Sequence, residues 1–395
     1  MSAPYLDLAR PDFSVRSPEV MAARSQSWYA ETQFGIAVLR YEDANALLKE
    51  RRLFQGTRRW PSHFDITDGI LAQWWPTMLL SIEGADHLRL RKLAGPAFSP
   101  KVIEQMTSWF AELAERLIDQ FYERGECEFM SEFAEAYSAQ VICKLLDLDE
   151  SLWPTIAELA TELGYVFSVT IKEDLPAIEH GLNGILEISR EVIAQRRGTV
   201  NNDFIGSLIQ ANVDGVGITD GELLSMVSLI VFAGFDTTRN QIGLGIQTFA
   251  SNLDQWNLLA QRPELGRQAV EEVMRTNPTI TWVSREASVD IEYKDLLIKQ
   301  GTTIHLMTIP AGSDPARFEN PDFDITADRP PHFGFGGGLH HCLGHFVARL
   351  DMQEAFKALA RRLPDLKIED GASYLPDSGN TGPTTLPISF RAGVK

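Results

Sequence analysis

Phe335-Gly336-Gly337-Gly338-Leu339-His340-His341-Cys342-Leu343-Gly344 is the stretch on which the reading of this 395-residue chain turns. Its glycines allow backbone turns that other residues resist. Beyond the cysteine, Leu343, Phe346, Val347 and Leu350 begin an amphipathic helical pattern. Cys342 is therefore predicted at or near a helix N-terminus, where free N–H groups and the positive dipole end stabilise a thiolate. A lone thiolate held there suits a metal ligand or a nucleophile.

Several chemistries compete for it. A zinc site could draw on His340, His341, Cys342 and His345. Zinc sites, however, take ligands from two separated knuckles, and Cys127 and Cys143 lie far off in helical stretches. A cysteine nucleophile with a local histidine is a second reading. A dinucleotide-binding glycine loop fits poorly, because no strand and no distal acidic residue frame it. An axial thiolate on heme iron fits best.

A second stretch, 223–249, reads as one long helix. Its first half, LLSMVSLIVFAGF, is apolar on all faces and is predicted to run through the core. Asp236, Thr237, Thr238, Arg239, Asn240 and Gln241 follow. A carboxylate and two hydroxyls there are costly unless satisfied. Either the helix has reached the surface and Asp236 pairs with Arg239, or the cluster lines a cavity and handles protons. The small Ala233-Gly234 pair would let a large flat ligand lie against the helix. The Thr237 hydroxyl can bond back to the carbonyl of Ala233 and loosen the helix there.

The rest of the chain frames these two stretches. Hydrophobic residues make up 44% and charged residues 23%, as in ordinary globular proteins. A net charge of -18 argues against nucleic acid as a partner. Three cysteines give no disulfide framework and fit a reducing cytoplasm. No signal peptide or membrane anchor is read in 1–27, and the longest apolar run, 223–235, is too short to span a bilayer. No linker or repeat divides the chain, so one domain over 1–395 is expected. Amphipathic helices are predicted at 41–51, 101–122, 152–163, 178–196 and 264–275. Short strands are predicted at 35–39, 291–293, 302–308 and 386–390. Residues 314–332 read as irregular chain.

Taken together, these motifs resemble the soluble bacterial cytochrome P-450 family of heme-thiolate monooxygenases. FGGGLHHCLG matches the family's Phe-Gly-x-Gly-x-His-x-Cys-x-Gly signature at every defined position, and Ala348-Arg349 follows as it does in the family. Ala233-Gly234-Phe235-Asp236-Thr237-Thr238 is similar to the oxygen-activation motif. Glu272 to Arg275 matches a Glu-x-x-Arg pair. His87-Leu-Arg-Leu-Arg91 looks like a propionate-holding segment, and Arg285 lies where the family places another propionate partner. The resemblance covers about 41–390. It departs at Ala327, where the family has an arginine, with Arg329 two residues on as a substitute. It departs again at Arg239, where an apolar residue is common.

The resemblance implies a mainly α fold with small β-sheets, and heme b (iron protoporphyrin IX) between the long central helix and the Cys-ligand loop. It makes Cys342 the axial iron ligand. Phe335, Gly336 and Ala233 would lie against the heme, and His87, Arg91, Arg285 and His340 would neutralise its propionates. Asp236 and Thr237 would be the acid–alcohol pair that delivers protons. Glu272 and Arg275 read as structural. The substrate pocket would draw on Trp74, Trp75, Met78, Leu79, Val166, Phe167, Phe232, 279–283 and 381–385. Those residues are largely apolar, which points to an apolar small-molecule substrate.

The implied reaction inserts one oxygen atom from dioxygen into a C–H bond or double bond, with two electrons from NAD(P)H. With no fused flavin or iron–sulfur segment read in the chain, the electrons would come through a ferredoxin or flavodoxin and its reductase. Lys92, Arg349, Arg361 and Arg362 are candidate docking cations. A hydrogen-peroxide-driven peroxygenase and a non-catalytic heme-binding partner protein are the alternatives. The Asp236–Thr237 pair argues against both.

Overall fold

The computed structural model describes residues 3–10, 12–168, 170–197, 203–213, 216–377 and 379–393. The central helix runs over Asp220–Ala250, slightly longer than its apolar pattern alone marks out. A capping box starts it. The Thr219 hydroxyl accepts from Glu222 N–H, and the Glu222 carboxylate accepts from Thr219 N–H. The two serines in its apolar half have partners. Trp74 Nε1 donates to Ser228 Oγ at 3.0 Å, and Ser225 Oγ meets Thr77 Oγ1 at 2.9 Å.

Helices Glu135–Leu146, Trp153–Gly164 and Leu175–Arg196 pack against the central helix, as do Gly266–Thr276 and His345–Arg362. Gly245 shows how close this packing is: a Cβ there would lie 2.3 Å from Phe356 Cζ. Among the described residues only the central helix is long and apolar enough to cross a bilayer, and 67% of its most apolar window is buried inside the fold.

The predicted helices are present, with one break. The 101–122 pattern is split into Pro100–Ile103, the 3-10 turn Glu104–Met106 and Thr107–Ile118. The main sheet has five strands in the order Tyr29–Thr32, Gly35–Val38, Thr303–Met307, Trp282–Ala287, Leu53–Gln55. It therefore joins the N-terminal segment to the segment that carries Arg285. Ile291–Tyr293 pairs with Leu296–Ile298, and Pro387–Ser389 sits between Lys367–Ile368 and Glu126–Glu128.

The irregular chain over 314–332 is fastened by a buried ion pair. Arg275 donates to both oxygens of Glu272 at 2.7 and 2.6 Å, and also to the carbonyls of Gly312 and Pro321. Arg329 supplies the third charge, 3.2 Å from Glu272 Oε1 and 2.7 Å from the Asp322 carbonyl. It thus takes the place that the sequence leaves empty at Ala327.

Candidate active site

A cavity of about 360 Å³ lies between the central helix and the cysteine loop. Cys342, Phe335, Gly336, His340, Arg91, Ala233, Asp236 and Thr237 all line it. Residues distant in sequence therefore meet there. His87 and Arg285 do not line it. They stand one layer behind, His87 stacked on His340 at 4.0 Å and Arg285 donating to Gln55 Oε1 at 2.6 Å.

The loop geometry rests on glycine at two points. Gly336 and Gly338 have φ of 68° and 67°, the left-handed region that costs side chains most. A Cβ on Gly338 would also come 2.2 Å from the Leu48 carbonyl oxygen. The loop closes with Cys342 N–H donating to Phe335 O at 2.9 Å. The following helix starts at His345, three residues past the cysteine. Burial raises the thiol pKa. The Gly344 N–H and the charges of Arg91 and Arg349 act against that. Gly344 is the N-cap of that helix, so the helix start acts on the thiol as expected, and the two arginines add to it. Arg91 donates to the His341 carbonyl at 2.7 Å, and the Arg349 guanidinium covers the Phe335 ring at 4.4 Å.

On the central helix, Thr237 Oγ1 donates to Ala233 O at 2.7 Å, the back-bond read from the sequence. Ala233 is exposed to the cavity. A Cβ on Gly234 would meet Ile142 Cδ1 at 2.3 Å, so this glycine makes room for the neighbouring helix, and it lines the cavity beside Ala233 as well. Asp236 is buried, and desolvation raises its pKa. Arg239 does not pair with it. The guanidinium donates instead to Glu135 Oε1 at 3.0 and 2.8 Å. The surface reading of this cluster is thereby set aside.

Several partners escaped the sequence reading. Asn380 Nδ2 donates to Asp236 Oδ2 at 2.6 Å, from 144 positions away. Glu83 Oε1 lies 3.0 Å from His340 Nε2, and Gln55 N–H donates to the same oxygen. No local pattern marks such pairs. Of the expected pocket residues, Met78, Leu79, Phe167, Phe232, Thr279, Ile280, Trp282 and Val283 line the cavity. Trp74, Trp75 and Val166 do not. Trp75 Nε1 is tied to the Thr57 carbonyl instead. The C-terminal loop contributes Gly379 and Asn380 rather than 381–385.

Residues 167–369 match the family model for cytochrome P450. The whole chain is 35% identical to a luteothin monooxygenase of Streptomyces thioluteus, spanning 98% of this chain and 96% of that protein. This chain belongs to the cytochrome P450 family. It is a P450 monooxygenase, and the family works with heme b. The chain is also 30% identical to a steroid C26-monooxygenase of Mycobacterium tuberculosis, over 100% of this P450 and 96% of the relative. Among solved structures, P450BioI in complex with hexadec-9Z-enoic acid ligated acyl carrier protein has a TM-score of 0.86 at 30% identity, covering 94% of this chain and 97% of that one.

The residues present fit heme b. Both ring nitrogens of His87 are buried without a partner, although burial normally demands one. Its pKa is pushed down to about 4 by desolvation and the neighbouring His340 and Arg91. Burial likewise pulls Arg285 down to about 10. His87 and Arg285 are buried, with Arg91 and His340 half-buried beside them. Glu83 is the carboxylate held against His340. Two arginines against one carboxylate leave positive charge for an anionic group beside a free thiol. Among the candidate docking cations, Arg361 and Arg362 pair with Glu115, and Arg349 pairs with Glu271. Lys92 is exposed.

Proposed function

We propose that this P450 oxygenates an apolar small molecule by one oxygen atom, using heme b held by Cys342. The observation that carries the reading is that one cavity brings together the free thiol of Cys342, the back-bonded Thr237 and the buried Asp236. Heme bound there supplies dioxygen activation with two electrons from NAD(P)H, delivered by a ferredoxin or flavodoxin and its reductase. Arg91 and His340 would hold the propionates, with His87 and Arg285 behind them. Phe335, Gly336 and Ala233 line the same cavity and would lie against the heme.

The protein's own contribution is a proton path and a dry pocket. Asp236, with a pKa raised by burial, can hold a proton and give it up. Thr237 both donates and accepts through one hydroxyl. Its one proton is held by Ala233 O, so the hydroxyl can accept as it stands and passes a proton on when that back-bond opens. Leu229, Phe232, Phe167, Leu80 and Val283 give the remaining wall its apolar character, which favours an apolar substrate of medium size. The named relatives act on luteothin and on steroids. An apolar framework such as a steroid's suits this wall. We also infer a single domain over 1–395 and a cytoplasmic location, where NAD(P)H and reduced ferredoxin are at hand.

The test is reconstitution with ferredoxin, reductase, NAD(P)H and dioxygen against a panel of steroids, polyketides and fatty acids. A product heavier by one oxygen atom, labelled from 18O-dioxygen, supports the reading. Turnover with hydrogen peroxide but never with reduced ferredoxin would support the peroxygenase alternative instead.

A further inference from the structure

Asp236 has an unusual set of neighbours for a buried carboxyl. Asn240, one helical turn on, reaches Oδ1 at 3.4 Å. Gly164 stands beside that oxygen, where a Cβ would intrude to 2.9 Å. The charged group that faces it is Arg239, and Glu135 holds that guanidinium at 2.8 Å. The short bond comes from Asn380 on the cavity wall. There the chain pairs with 279–281: Thr381 N–H donates to Thr279 O, and Thr281 N–H donates to Gly379 O. Asn380 and Thr279 are both buried and both line the cavity.

The Asn380 amide is oriented by its other end. Thr279 Oγ1 donates to Asn380 Oδ1 at 2.8 Å, which turns Nδ2 toward Asp236. An arginine in that place would lock Asp236 as the anion. An amide does not. Turned over, it offers Oδ1 to a protonated Asp236 and Nδ2 to the Thr279 hydroxyl oxygen. That hydroxyl can then give its own proton to the Thr381 carbonyl, 2.6 Å away. Either protonation state of Asp236 thus keeps a donor facing an acceptor across the Asp236–Asn380 contact, while the single Thr279 proton serves Asn380 Oδ1 in one state and the Thr381 carbonyl in the other.

We propose that Asn380 is a positioning residue for Asp236, holding the carboxyl from the substrate wall with a neutral amide that serves it in both protonation states. The proposal rests on the reading of Asp236 as the proton-handling acid. It adds the residue that keeps the acid in place and in exchange, and it ties that acid to the wall the substrate touches.

Difference infrared spectroscopy of the heme-loaded protein tests it. The carbonyl band that disappears in Asp236→Asn reports the protonated acid, and its midpoint is followed against pH. Asn380→Leu, similar in size without the amide, raises that midpoint by about one pH unit, a tenfold gain in proton affinity, because the amide's charge-assisted bond to the anion is stronger than its bond to the neutral acid. Asn380→Asp, which keeps the shape, also raises it and splits it into two coupled steps. Midpoints unmoved in both variants overturn the proposal. Asp236→Asn driven by ferredoxin tests the underlying reading separately: peroxide released per NAD(P)H should rise severalfold. If it does not, the acid role of Asp236 fails whatever the Asn380 variants show.

Discussion

Arg239 and Asp236 sit three apart on one helix, the spacing of an ion pair, yet Arg239 turns to Glu135. Sequence spacing fixes which residues can meet, whereas the neighbouring helix decides which of them do. The same contrast runs through the site. The Thr237–Ala233 back-bond was legible because both ends lie on one helix. The Asn380 and Glu83 contacts were not, because each partner comes from another part of the chain. Thr237→Ala removes the hydroxyl without disturbing the wall. Its product per NAD(P)H should fall severalfold with a matching rise in peroxide, measured with any substrate that the wild type oxygenates. Normal coupling would remove Thr237 from the proton path. His305 gives a second residue-scale test. It is fully buried beside Ser284, and burial holds its pKa down at about 3. An unfolded histidine titrates near ~6.5. Between those values the unfolded chain binds the proton and the folded one does not, so stability rises with pH across that window. His305→Gln should flatten the change in urea midpoint between pH 4 and pH 7 relative to wild type. An unchanged slope would deny the buried histidine this role.

At the scale of elements, helical periodicity was strong enough to place the central helix and its neighbours. The main sheet was harder. Trp282–Ala287 carries Arg285 and Glu286 mid-strand, and Ser284 as well, so it lacks the apolar alternation that marks a strand. The Cys342 loop was legible because its glycines answer a strict backbone demand. Gly338→Ala should therefore abolish or greatly reduce heme uptake, since a Cβ there would strike the Leu48 carbonyl in a left-handed residue. Measured heme content near wild type would show that the loop can yield. The Glu272–Arg275–Arg329 cluster fastens the irregular segment to the core. Arg275→Ala leaves a buried carboxylate without its main partner, at a cost of ~3–5 kcal/mol. Arg329→Ala, nearer the surface, should cost less. Denaturant titration of both variants reads the difference, and equal losses would contradict the ranking.

Over the whole molecule, the chain builds one cavity from segments that include 78–91, 226–241, 279–284, 334–352 and 379–380. Each segment shows its own chemistry in the sequence, and only the fold shows that they share a wall. The architecture and the cofactor class could be read early because the cysteine loop and the central helix each carry a dense run of unusual residues. The substrate could not, because an apolar wall built from ordinary core residues has no distinct local signature. The central claim is that Cys342 binds heme iron as a thiolate. The most direct measurement is the carbon monoxide difference spectrum of the reduced, folded protein. Thiolate ligation gives a strongly red-shifted Soret band that is lost in Cys342→His. Bound heme without that shift in the native protein would contradict it.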